Sequence, residues 1–101
     1  MQFAIHVLDN PGTQALRAQC YDRHTAHLAD LERWSVTIIF AARLVADDGD
    51  TAIGNLLLIE APDQAAAEAF NAADPFTTEG VWGKAIITPF VQRRGARLGG
   101  V

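Results

Sequence analysis

Only one cysteine, Cys20, occurs in the chain, so no internal disulfide can form. That usage fits a reducing, cytoplasmic setting. There is no CxxC pair, and Cys20 lies in a helical stretch where a buried, inert thiol is expected. Long apolar runs are also missing: none approaches the roughly 18 residues of a membrane span. The opening MQFAIHVLD lacks a basic n-region and reads as a strand, not a signal peptide. Basic charge is scarce, with 8 Lys and Arg against 12 Asp and Glu and a formal net charge of −4. A nucleic-acid partner is not expected, because no dominant basic patch exists to neutralise phosphates. The motif scan is equally negative. No GxGxxG, P-loop or GxSxG occurs, so no cofactor is expected and no serine nucleophile is indicated. Asp47-Asp48-Gly49-Asp50 lacks the alternating ligands and closing Glu of an EF-hand, and reads as a solvated turn.

What remains is a chain of 101 residues, half of them hydrophobic, without repeats, low-complexity tracts or linkers. That is one domain with a modest core. Residues 1–92 are taken as the domain and 93–101 as a flexible basic tail carrying Arg93, Arg94 and Arg97.

Gln2 to Leu8 alternates, with Phe3, Ile5 and Val7 on one face and Gln2, Ala4, His6 and Leu8 on the other. This period of two predicts a strand. Asp9-Asn10-Pro11-Gly12 ends it, and Thr13 is placed to cap a helix running from Gln14 to about Trp34. In that helix Leu16, Cys20, Leu28 and Leu31 form an apolar stripe. Ser35 to Val45, rich in Val, Ile, Thr and Phe, is a second strand. The acidic turn makes Ile53 to Ile59 a third, antiparallel to it. Pro62-Asp63-Gln64 opens a second helix with a face of small residues. Val81 to Val91 reads as a fourth strand, with Pro89 marking an edge or a bulge.

The order β-α-β-β-α-β predicts an α+β, ferredoxin-like fold: a four-stranded antiparallel sheet with two helices on one face. The other face, which includes Ala4 and His6, is too apolar for water. A homodimer packed sheet to sheet is therefore expected.

The stretch Asp74-Pro75-Phe76 punctuates the end of the second helix. Proline drives the preceding residue towards extended geometry and suits the first helical position. Asp74 is then an N-cap that accepts from the amide of Phe76 or Thr77.

The element order, Arg23-His24-Thr25-Ala26-His27-Leu28, and Ala72-Ala73-Asp74-Pro75-Phe76 with Gly80-Val81 together resemble the YCII-related family. The resemblance runs from Met1 to about Gln92. It implies the dimeric α/β-barrel fold and a His–Asp pair lining a pocket. Carried over by the His-Leu motif, the pair is His27 as general base and Asp74 as its orienter. Such a pair suits isomerisation, or elimination of a group such as halide, on a small ring-derived acid or phenol. The family pattern also places an arginine three positions before its histidine, where this motif alignment puts His24. Arg43 falls where the family tends to have Gly-Pro and is a candidate charged group in the pocket.

His24, His6, Arg43 and Phe76 are the candidate substrate-binding residues, although His6 fits a dimer interface at least as well and Phe76 fits a core or pocket wall. His24 and His27 lack a third ligand at a known spacing, so no metal site is implied. The alternative to an enzyme is a non-catalytic ligand-binding or accessory module on the same fold. Either way the partners are a small molecule and a second copy.

Overall fold

The computed structural model describes residues 1–97; positions 98–101 of the expected tail lie outside the described residues. β1 is Gln2–Leu8, with the length that its alternation predicts. Phe3, Ile5 and Val7 are all but fully buried, each contributing about 1.5–3 kcal/mol of transfer free energy. The chain continues through α1 (Gln14–Ala29), a 3₁₀ turn (Glu32–Trp34), β2 (Thr37–Val45), β3 (Ala52–Glu60), α2 (Gln64–Ala73), the short α3 (Pro75–Thr78) and β4 (Ile86–Phe90). The four strands form one sheet in the order β2-β3-β1-β4, and every adjacent pair is antiparallel. This is the expected ferredoxin-like arrangement. Among the described residues no helix is long and apolar enough to cross a membrane.

Register divides the sheet into two faces. Phe3 lies opposite Ile59 and Pro89, and Ile5 opposite Leu57 and Ile87. This face carries the core, joined by Cys20, Ala67, Phe70, Phe76, Val81 and Trp82. His6 lies opposite Leu56 and Ile86, and Ala4 opposite Leu58 and Thr88, on the other face. There Leu8, Phe40 and Ile86 are 52%, 42% and 62% exposed. β4 is an edge strand, where Pro89 is tolerated. Gly54 sits where β1 and β3 come closest: a Cβ there would fall 2.3 Å from the carbonyl oxygen of Val7.

Three local expectations are corrected. Thr13 occupies the position before α1, but its backbone (φ −103°, ψ 14°) is not that of a capping residue. Its hydroxyl donates to the carbonyl of Asn10 at 2.7 Å instead. α1 stops at Ala29, short of Trp34, because the chain must turn into β2. The 3₁₀ turn and Ser35, at φ 57°, make that turn.

β4 begins at Ile86, not Val81. Val81 and Trp82 are buried in a crossing loop, which Asn10 holds by donating from Nδ2 to the carbonyls of Gly80 (3.0 Å) and Trp82 (3.1 Å).

The acidic turn is an exposed hairpin, as expected. The Asp48 carboxylate accepts from the Thr51 hydroxyl and from the amides of Thr51 and Asp50. Those bonds, the hydroxyl's first, hold its pKa at about 2, below the usual 3.8.

Candidate active site

Asp74 does two jobs at once. Its φ of −64° and ψ of 131° are the extended geometry that Pro75 demands, and Oδ1 accepts from the amide of Phe76 at 2.9 Å. The cap reading of Asp74-Pro75-Phe76 is thus met. The same carboxylate faces α1, where both oxygens accept from Nδ1 of His24, at 2.9 and 2.7 Å. Asp74 is 1% exposed and His24 4%. A carboxylate has no proton to give, so Nδ1 carries the hydrogen, and in the neutral ring the lone pair is on Nε2. Among the described residues no group bonds to Nε2.

His27, the expected base, does not approach Asp74. Its Nε2–H donates to the carbonyl of Phe70 at 2.8 Å. Its ring stacks on Phe70 (4.6 Å) and meets Trp34 edge-on (5.7 Å). The reason is helical geometry. Three residues displace a side chain by nearly a full turn and about 4.5 Å of rise, so His24 meets the start of α3 while His27 meets the end of α2. With His24 in the pair, the place three residues before it belongs to Tyr21, and no arginine stands there.

His24 is held by aromatic rings. Phe76, fully buried, stacks on it with centroids 4.0 Å apart and planes 7° from parallel. Trp82 meets it edge-on at 5.6 Å. Phe76 also lies under the guanidinium of Arg17, 4.8 Å from the ring centroid.

Arg17 was not singled out in the sequence. Its Nε and Nη2 donate to Asp9 at 2.8 and 3.1 Å, and Nη2 also reaches the Gly54 carbonyl and Oδ1 of Asn55. Asn55 Oδ1 in turn accepts from the Trp82 indole at 3.0 Å. Asp9, Arg17, Asn55 and Trp82 thus form one fixed framework behind His24. Two signals for it existed in the sequence. Arg17 lies one helical stripe from His24 at i+7, and Asn55 is a polar residue where β3 should be buried.

Arg17, His24 and Asn55 line a cleft of about 430 Å³ between α1 and the β2–β3 half of the sheet. α1 contributes Arg17, Tyr21, His24, Thr25 and Leu28, a single stripe at helical spacing. Ala41, Ala42, Arg43, Ala52, Asn55 and Leu57 form the floor, and the small alanines leave it open. Arg43 is therefore at the cleft, as expected. Phe76 is not a wall of it but the support behind His24. His6 projects from the opposite face of the sheet and does not reach it. Among the described residues no three His, Cys, Asp or Glu side chains gather to hold a metal.

No curated protein sequence matches the chain at a significant level. Among solved structures, 5-chloro-2-hydroxyhydroquinone dehydrochlorinase (TftG) from Burkholderia phenoliruptrix, in complex with 2,5-dihydroxybenzoquinone, is similar. The TM-score is 0.78 at 28% identity, over 92% of this chain and 96% of that one. The family model of the YCII-related domain matches residues 1–91, and this chain therefore belongs to the YCII-related family.

Proposed function

We propose that this chain is a small enzyme of acid–base type that removes a proton from a ring-derived substrate and so drives an isomerisation or an elimination. The observation that carries the reading is the buried bond between His24 Nδ1 and the Asp74 carboxylate, 2.7 Å long, at the wall of a cleft. Asp74 fixes the tautomer and orients the ring. Nε2 is then the base. For a chlorinated hydroxyquinol such as the substrate named for the similar dehydrochlorinase, the net step is loss of HCl. In the keto tautomer, where the chlorine-bearing carbon is tetrahedral and carries a hydrogen, a hydroxyl proton of the substrate passes to Nε2, the O–H electrons form the new C=O, and the chloride departs with the C–Cl electron pair.

Chloride release from 5-chloro-2-hydroxyhydroquinone, followed by ion chromatography, tests this. The wild type should release chloride, and His24→Asn should lose at least about 10²-fold in kcat, the usual contribution of a positioned base. Ligand binding without release in the wild type, unchanged in His24→Asn, replaces the enzyme reading with a non-catalytic ligand-binding module.

We further infer a homodimer through the open sheet face. What supports it is the cluster of Leu8, Phe40 and Ile86, each more than two-fifths exposed, around His6. A row of this kind is costly to leave in water. Light scattering on the wild type should give the mass of two chains. Ile86→Asp, on the edge strand of that face where the side chain is mostly exposed, should give one. A monomeric wild type refutes the dimer.

A further inference from the structure

The charges that line the cleft are of one sign. The chain carries a net −4, yet the charged side chains lining the cleft are Arg17 and Arg43, with no Asp or Glu. The two arginines are not equivalent. Arg17 is 12% exposed in its side chain and committed to Asp9, Gly54 and Asn55. Arg43 is 56% exposed and held by one bond, Nη2 to Asp50 Oδ1 at 3.3 Å, and that Asp50 side chain is 88% exposed. An ion pair so open to water contributes little, so a ligand anion can compete for the guanidinium. In the strand register Arg43 lies opposite Asn55, whose side chain already reaches Arg17 beside His24. The cleft floor thus runs from a weakly held cation, Arg43, to the base, His24. Ala41 and Ala52 flank that path, and their short side chains leave space for a flat ring.

The geometry points to a substrate that is a small planar carboxylate, with Arg43 gripping the carboxylate at the mouth while the ring extends toward His24. This deepens the acid–base reading and depends on the cleft being the binding site. It does not depend on turnover. Arg43 acts here as the residue that selects charge: its planar fork matches a carboxylate bidentately. Asp50 is the internal competitor that the ligand displaces.

The test is a calorimetric titration of the full chain with 2,5-dihydroxybenzoate and with its neutral isostere 2,5-dihydroxybenzamide. The acid should bind the wild type about tenfold more tightly, the equivalent of one charge-assisted bond near water. Arg43→Gln should abolish that preference and leave the amide's affinity unchanged. Asp50→Asn, which frees the guanidinium, should tighten the acid alone. Arg33→Gln, a surface change elsewhere, should do nothing. Equal affinity of acid and amide for the wild type overturns the proposal. So does an Arg43→Gln variant that weakens both ligands alike, or failure of the acid to bind at millimolar concentration. Preferential binding of the acid together with no chloride release from 5-chloro-2-hydroxyhydroquinone strikes the catalytic reading and leaves this one standing.

Discussion

Asp74→Asn should leave a folded protein with about 10²- to 10⁴-fold less activity in the chloride-release assay. The substitution keeps the side chain's volume, and the amide oxygen can still cap α3 by accepting from Phe76 N–H, now 2.9 Å away. What changes is the partner that His24 sees. If the oxygen stays on Phe76, the amide NH₂ faces Nδ1, which must then accept instead of donate. The hydrogen moves to Nε2, and the atom aimed at substrate is no longer a base. The loss should appear in kcat, with KM little altered, because the cleft walls are untouched.

Nitrogen-15 NMR of the imidazole provides an independent check. The wild type should show a protonated Nδ1 and a bare Nε2, and Asp74→Asn the reverse. Identical tautomers in the two proteins would sink the pair. His27→Gln is the matched control. It loses the bond to the Phe70 carbonyl and the ring contacts with Phe70 and Trp34, about 1–3 kcal/mol of stability, and should retain full kcat.

That control exists because sequence spacing and structure differ over which histidine matters. The family motif points to the right helix but to the histidine one turn after the one that meets Asp74. Both histidines are flanked by similar residues, and nothing local says which faces α3. The choice depends on where α1 crosses the sheet, a long-range property. The fold itself was easier to read. β1, β2, β3 and α2 each carry a periodicity bounded by turn residues, and these elements begin and end within about two residues of expectation.

The errors fall where tertiary contacts overrule local pattern. Val81 and Trp82 look like strand, but Trp82 is drawn out of the sheet to meet His24 and Asn55. Arg17 looks like a surface helix residue. It becomes part of the site because Asp9, the Gly54 carbonyl and Asn55, all outside its own helix, converge on its guanidinium. The Asp74 cap was legible, because proline chemistry is local. Its second bond, across fifty residues of chain to His24, was not.

Phe76→Ala should destabilise the protein by about 3–5 kcal/mol, the range for removing a buried phenylalanine. In a domain of this size that lowers Tm by at least about 12 °C, at roughly 4 °C or more per kcal/mol. Differential scanning calorimetry reads the shift. A drop of a few degrees would mean that the site collapses around the missing ring.

The more informative variant is Phe76→Leu. It keeps most of the volume and should cost less than about 1.5 kcal/mol. But it removes the flat surface that lies 4.0 Å from the His24 ring and under the Arg17 guanidinium. A leucine branch fills space without defining a plane, so the imidazole should gain rotational freedom about its bond to Asp74. Activity should then fall by more than stability does, with kcat reduced several-fold at a temperature where the variant is fully folded. If Phe76→Leu keeps wild-type kcat, Phe76 is core filling alone, and the hydrogen bond to Asp74 is sufficient to aim Nε2. If kcat falls, the ring stack is a working part of the base, and the aromatic after Asp74-Pro75 serves to hold His24 flat.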